Sequence, residues 1–329
     1  MKPSRVLKVL PQLLTNRWPA FVWGPPGVGK SSVVKQVAEG LKLPLLDVRA
    51  SLLDPTDLRG IPSVVDGRAV WAPPSFLPTP KQPAGILFFD ELNAAPPLVQ
   101  ASLLQLTLDH RVGEYILPPG WRIVAAGNRA EDRSVTFRMP SALANRFIHL
   151  DFETDFEDWK AWAYRNGVHP LVVAFLSTRR ELLFKRGKDD RAFPTPRSWE
   201  MASDVIRTLG PGKASMDVLA GVVGDGAAAE IVGYCEGALR EEELLKIIEK
   251  PASETLPTKL GDLYALVSYL ILRAEDAGVR RSAGVLLDRL PAEMAVLLAR
   301  DLLRVFPRFS ADAGYKEFVK RRKELLSEP

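Results

Sequence analysis

A chain of 329 residues that is 47% hydrophobic, 26% charged and 8% aromatic has the make-up of a globular protein, which excludes the disordered, collagenous and disulfide-framed classes. With 44 basic and 40 acidic residues the net charge is +4, too balanced to point to a nucleic-acid partner through charge alone. The length exceeds the roughly 250–300 residues at which a single core stops growing and so predicts two domains.

The amino terminus is basic, but Lys8 interrupts its apolar stretch and Pro11 stops it, so no signal peptide is read there. The first predicted strand is Ala20–Trp23. It runs directly into Gly24-Pro25-Pro26-Gly27-Val28-Gly29-Lys30-Ser31, which fits the phosphate-binding spacing G-x-x-x-x-G-K-S. The glycines let backbone N–H groups curl around an anionic phosphate, Lys30 brings a mobile positive charge to the β- and γ-phosphates, and the Ser31 hydroxyl is placed to hold Mg²⁺. Ser31–Gly40 reads as a helix whose amino-terminal dipole faces the same phosphates. The cradle therefore comprises Gly24, Pro25, Pro26, Gly27, Val28, Gly29, Lys30, Ser31 and the adjoining Ser32.

Further strands are expected at Pro44–Val48, Gly85–Phe89, Trp121–Ala126 and Phe147–Phe152, alternating with helical segments in the rhythm of a parallel sheet covered on both faces. Val64–Trp71 reads as a hairpin with an Asp-Gly turn, and Arg111–Leu117 as a second with a Gly-Glu turn. Between them, Ile86-Leu87-Phe88-Phe89 ends in Asp90-Glu91, about 60 residues after Lys30. This is a Walker B pattern: Asp90 for the metal, Glu91 to polarise the water that attacks the γ-phosphate.

Beyond Asp151 the pattern turns to amphipathic helices at Phe156–Arg165, Pro170–Leu183 and Pro196–Leu209, with Lys185–Arg191 and Lys250–Glu254 as exposed connectors. The most apolar window, Leu263–Leu272, falls short of the roughly 20 residues a bilayer demands and reads as a buried helix. The basic run Lys320–Lys323 reads as a solvated face. The lone Cys235 excludes an internal disulfide and fits a reducing cytosol, so the expected location is cytoplasmic. His110, His149 and His169 lack metal-ligand spacing and are expected in structural roles.

The phosphate-binding loop, the acidic motif Asp90-Glu91-Leu92-Asn93, Ala126-Gly127-Asn128 and Pro140-Ser141-Ala142-Leu143-Ala144-Asn145-Arg146-Phe147 together resemble the AAA+ ATPases of the MoxR type over residues from about 18 to 205. The resemblance takes in branches that serve Rubisco activation, nitric oxide reductase assembly and gas-vesicle formation. It implies an α/β P-loop NTPase fold, an αβα sandwich with a five-stranded parallel sheet, over residues 1–154. An all-α lid and a C-terminal helical region would fill 155–329. Both hairpins, at about 60–74 and 110–118, fall where this clade carries its helix-2 and pre-sensor-1 inserts. Asn128 resembles sensor 1, Arg146 the arginine finger that reaches a neighbouring subunit's γ-phosphate, and Arg197 the sensor 2 that opens a lid helix.

A finger supplied in trans implies a ring, most often a hexamer in this superfamily, with ATP and Mg²⁺ at subunit interfaces. Arg111, Arg129, Arg133 and Arg138 are further cations open to an interface role, and Trp71 and Tyr115 either contact a substrate or pin their hairpins. The function expected is ATP hydrolysis coupled to remodelling or activation of a client protein, with a von Willebrand factor A domain partner. Two alternatives stand beside it: a nucleotide-gated scaffold with little turnover, and a DNA-directed motor, which the charge balance argues against.

Overall fold

Strands that are nearly continuous in Ile, Leu, Val and Phe must be buried on both faces, and such strands pair in parallel with helices crossing over them. The structure, a computed structural model that describes residues 1–132, 136–186, 191–212 and 215–322, has this arrangement. Arg133, Gly187–Asp190 of the charged connector and Lys323 of the basic run lie outside the described residues. The chain divides into two compact units, Met1–Asp155 and Phe156–Pro329.

In the first unit the strands are β1 (Ala20–Trp23), β2 (Leu45–Arg49), β3 (Ile61–Val65), β4 (Arg68–Ala72), β5 (Ala84–Asp90), β6 (Arg111–Val112), β7 (Tyr115–Ile116), β8 (Gly120–Gly127) and β9 (Ile148–Asp151). Five of them form a parallel sheet in the order β2-β5-β8-β1-β9, so each predicted sheet strand is present within two residues of its expected ends. The helices are α1 (Pro3–Thr15), α2 (Lys30–Leu41), α3 (Pro55–Arg59), α4 (Pro97–Asp109) and α5 (Ser141–Ala144). Phe21, Leu87, Phe89, Ile123 and Ala125 form one buried cluster with Val99, Leu103 and Leu106 of α4. Alternation along each strand turns the intervening residues to the opposite face, where α1 and α2 pack.

The two remaining pairs are antiparallel hairpins, β3–β4 and β6–β7. Asp66 and Gly67 both take positive φ, 51° and 73°, as the tight turn requires. Tyr115 pins the second hairpin by donating to the Pro78 carbonyl at 2.7 Å, and burial pushes its hydroxyl pKa up to about 12. The first hairpin is held more lightly, by Arg59 over the Trp71 ring at 5.2 Å, and leaves Ile61 and Val64 74% and 79% exposed.

The second unit is helical, with no strand among the described residues: α6 (Phe156–Arg165), α7 (Pro170–Thr178), α8 (Pro196–Leu209), α9 (Met216–Val223) and α10 (Asp225–Gly237). It continues through α11 (Glu241–Glu249), α12 (Leu260–Leu272), α13 (Ala277–Arg289), α14 (Ala292–Val305) and α15 (Ala313–Arg321). Leu263–Ile271 is buried inside this unit, as its composition demands.

Two expectations need correction. The helix expected over Pro170–Leu183 stops at Thr178 and resumes as a 3₁₀ turn, Arg180–Leu183. The Ser177 and Thr178 hydroxyls donate to the carbonyls of Val173 and Phe175, competing with the backbone ladder where the helix ends. Pro11 does not stop the amino-terminal apolar stretch either, since α1 runs through it and buries Val6, Leu10 and Leu14.

Candidate functional site

The carboxyl edge of the parallel sheet collects the chemistry. Residues Gly127, Trp23 and Asp151 stand side by side across β8, β1 and β9, and the phosphate-binding loop leaves from the middle strand. Gly29 takes φ +99° and caps α2; its left-handed backbone is closed to most side chains. Lys30 follows immediately and is 8% exposed. Its Nζ donates to the Gly24 carbonyl at 2.6 Å, the Pro25 carbonyl at 2.8 Å and Asn128 Oδ1 at 2.9 Å. The Ser31 hydroxyl donates to Asp90 Oδ2 at 2.7 Å across 59 positions of sequence. Lys30 with Asn128 and Ser31 with Asp90 are thus two hydrogen-bonded pairs, joined by the Lys30–Ser31 peptide into one group drawn from α2 and the ends of β5 and β8.

Glu91 sits at the margin of this group with φ +56°, an unusual backbone for a non-glycine residue and one often retained at functional positions. Its N–H donates to Asp90 Oδ1 at 3.0 Å. Its carboxylate accepts from the Ser51 hydroxyl at 2.8 Å and lies 3.6 Å from the Arg49 guanidinium, both supplied by the β2 side of the sheet. Register explains Arg49, which is paired with Asp90 in the β2–β5 ladder. Asp47, two residues before it, has its pKa raised by burial and then by the Asp90 carboxylate, against the lowering effect of Arg49.

Asn93 is a residue whose role the motif spacing did not reveal. It is 4% exposed, donates to the Asn128 carbonyl at 2.7 Å and accepts from the Asn128 N–H at 3.3 Å, fixing the strand end that presents Asn128. A Cβ at position 127 would stand 2.2 Å from Asn93 Oδ1, so glycine is required there for close approach. Its inclusion in Asp90-Glu91-Leu92-Asn93 was the available signal; Ser51 and Arg49 had none without the strand register.

Arg146 is not part of the hydrogen-bonded group. It follows α5, donates through Nη1 to the Ala142 carbonyl at 3.1 Å, and leaves Nε buried with no partner among the described residues. Arg197 belongs to the helical unit, exposed in the first turn of α8, where Thr195 Oγ1 accepts from the Ser198 N–H at 3.0 Å as a cap. Ser32 is in the first turn of α2 and is paired with Gln36 at 3.4 Å. His149 is structural, bridging Trp23 Nε1 at 2.7 Å and the Ala144 carbonyl at 2.9 Å. Burial pushes the Cys235 thiol up to about 12, far from a nucleophile's range.

The oxygens of Ser31 and Asp90 form a hard donor pair that fits Mg²⁺, which takes one or two protein oxygens and completes its octahedron with water and phosphate. Among the described residues no group of three or more His, Cys, Asp or Glu side chains is gathered for another metal.

Residues 19–147 match the family model of the AAA domain, dynein-related subfamily. The protein MoxR of Paracoccus denitrificans is 29% identical over 193 residues, covering 56% of this chain and 56% of that protein. MoxR of Methylorubrum extorquens is 31% identical over 151 residues, covering 44% and 43%. Over the part of the chain that carries the phosphate-loop and acidic motifs, it is thus similar to the AAA domain model and to the MoxR proteins. It spans about half the length of the curated relatives it matches. A mutant of RuvB from Thermotoga maritima is 18% identical, covers 81% of this chain and 79% of that one, and gives a TM-score of 0.41. No helix among the described residues is long and apolar enough to cross a membrane.

Proposed function

We propose that this MoxR-type chain binds ATP with Mg²⁺ and hydrolyses it, in a ring in which Arg146 of one copy completes the site of the next. The observation that carries this reading is the convergence of two hydrogen-bonded pairs, Lys30 with Asn128 and Ser31 with Asp90, on consecutive residues at the mouth of the phosphate-binding loop. The Gly24 and Pro25 carbonyls and the Asn128 amide oxygen orient the Lys30 ammonium at the mouth of the loop, where it would meet a phosphate. Ser31 and Asp90 would hold the metal, which would supply charge neutralisation for the phosphate. Glu91 accepts a proton from the attacking water, and Asn128 orients that water beside it. Arg197 reports the nucleotide state from the helical region, which acts as the lid.

Remodelling of a client protein, with a von Willebrand factor A domain partner, is the use of this cycle that the MoxR likeness suggests. The exposed aliphatic residues Ile61 and Val64 of the β3–β4 hairpin support a protein client. A nucleotide-gated scaffold with little turnover is favoured by a separate observation, the engagement of Glu91 by Ser51 and Arg49.

The test is nucleotide binding and phosphate release by the full chain, with and without Mg²⁺. Lys30→Ala is expected to weaken ATP binding about 10–100-fold, the loss of one charge-assisted contact set. Glu91→Gln should keep binding and lose at least about 10²-fold in turnover. Wild-type turnover by Glu91→Gln would refute the role assigned to that carboxylate. Mass measurement with ATP tests the ring, and an Arg146→Ala chain that assembles and turns over normally removes the trans finger.

A further inference from the structure

Among the described residues, the sheet edge carries Arg129, a cation to which the proposed cycle gives no role. Arg129 lies two residues beyond the end of β8, and its Nη2 donates to Asp151 Oδ1 of β9 at 3.1 Å. Because β8 and β9 flank β1, this ion pair crosses the strand end from which the phosphate-binding loop departs. The Gly24 N–H bonds the Gly127 carbonyl at 3.2 Å on one side, and the Phe152 N–H bonds the Trp23 carbonyl at 2.7 Å on the other. The guanidinium is therefore stretched over the root of the loop.

The backbone beneath it is fixed. The Arg129 N–H donates to Asp132 Oδ2 at 2.8 Å, and Asn93 clamps the adjoining Asn128 from both sides. What can move is the side chain. Its contact with Asp151 is a single N–H···O bond, using one of the five donors a guanidinium offers, and the Asp151 side chain is 67% exposed. A single contact to a solvated carboxylate is weak, whereas a phosphate accepts two parallel N–H bonds and carries more charge. Asn128, the immediate neighbour, is bonded to Lys30, so Arg129 leaves the backbone one residue from the group that holds the Lys30 ammonium.

We infer that Arg129 is a second phosphate-binding cation contributed by the same chain that supplies the loop, and that Asp151 competes with nucleotide for it. The inference rests on the phosphate-binding reading of Lys30 given above. It differs from an ion-pair strap that merely braces β8 against β9, because a strap fails in the same way whichever partner is removed. A competitor and a ligand fail in opposite directions.

The experiment titrates the full chain, with Mg²⁺, with a fluorescent non-hydrolysable ATP analogue and with the matching fluorescent ADP. Arg129→Ala is expected to weaken the triphosphate about tenfold and the diphosphate clearly less, since a charge-assisted contact to the terminal phosphate is lost. Asp151→Asn, which keeps the shape and releases the guanidinium, is expected to tighten the triphosphate by about twofold or more, the worth of a weak surface pair. Arg129→Lys, which preserves charge but not the fork, should fall between wild type and alanine. Parallel weakening by Arg129→Ala and Asp151→Asn, or equal shifts for both nucleotides, overturns the inference while leaving Lys30 intact as the anchor. Wild-type chain that binds neither nucleotide better than Lys30→Ala does overturns both readings together.

Discussion

Each unit buries a lysine, and the two are held by different chemistry, which fits one to the proposed binding role and the other to folding. Lys30, at 8% exposure, is held by two backbone carbonyls and an amide oxygen. Lys160 of α6, at 2%, is held by two carboxylates, Glu157 at 3.1 Å and Asp301 of α14 at 2.8 Å. Arg300 lies 3.0 Å from Glu157 and 3.1 Å from Asp301, extending that cluster. A lysine neutralised by acids on adjacent helices has been consumed by the fold. One steered by backbone and amide oxygens at a glycine-rich turn sits where the proposed cycle needs a cation for the phosphate.

The comparison breaks most visibly at Lys160. Lys160→Met removes one partner of a buried ion pair and leaves Asp301, 3% exposed, short of its nearest cation. The expected loss of stability is about 3 kcal/mol, read from urea midpoints, because the buried Asp301 carboxylate is left with Arg300 alone and an under-compensated buried charge costs more than the pair contributed. Adding Asp301→Leu should restore most of it, since apolar groups of similar volume replace buried pairs well. No second substitution is expected to rescue nucleotide binding after Lys30→Ala. A double variant at Lys160 and Asp301 that stays as unstable as the single one would show that this cluster does more than hold α6 to α14.

The same contrast explains what was legible before the structure. The loop from Gly24 to Ser31 is a local object, eight consecutive residues whose spacing states their chemistry, and Asp90 and Glu91 announce themselves at the end of an apolar run. Asn93 acts across 35 positions of sequence, and Ser51 reaches Glu91 across 40, through a strand pairing that no spacing encodes. In the helical unit, Phe156–Arg165 and Pro196–Leu209 were readable from period and caps. The break after Thr178 was not, because it depends on hydroxyl groups choosing carbonyls over solvent. Position 11 misled because a proline past the first turn removes one bond, while the apolar face of α1 buries three large side chains in compensation.

His169 sharpens the contrast at intermediate size. It caps α7, accepting the Leu171 N–H at Nδ1 at 3.2 Å, while its own backbone N–H donates to Ser203 Oγ at 2.8 Å. Burial first, then Arg207, lower its pKa from 6.5 to about 4, with Glu241 opposing. The unfolded chain therefore binds this proton more readily, so the contribution is complete above pH 6.5 and is lost as pH falls toward 4. The loss amounts to about 2–3 kcal/mol. Burial tends to raise Glu157, but Lys160 and Arg300 hold it below 4.5, so its own acid loss starts lower; His110, whose pKa burial also lowers from 6.5, shares the window, and only the difference from a His169 variant separates the two. His169→Asn keeps an acceptor at the cap without a titration, and its stability should be flatter between pH 4.5 and 6.5 by up to one proton. Equal slopes in the two proteins would remove His169 as the cause.

The smallest effect lies where the sheet unit spends a polar contact away from the loop. Ser51 and Arg49 engage Glu91, whose side chain is 41% exposed, and the carboxylate must leave them to take a proton from water. An exposed hydrogen bond and a 3.6 Å ion pair hold it by only about 0.5–1.5 kcal/mol together. Ser51→Ala should therefore raise basal phosphate release about two- to tenfold with no change in nucleotide affinity, and Arg49→Ala should do so less. A rise confined to turnover separates this contact from Lys160, whose loss is felt in stability, and from Lys30, whose loss is felt in binding. Should Ser51→Ala slow turnover instead, the hydroxyl orients Glu91 for its task, and the restraint assigned to β2 is mistaken.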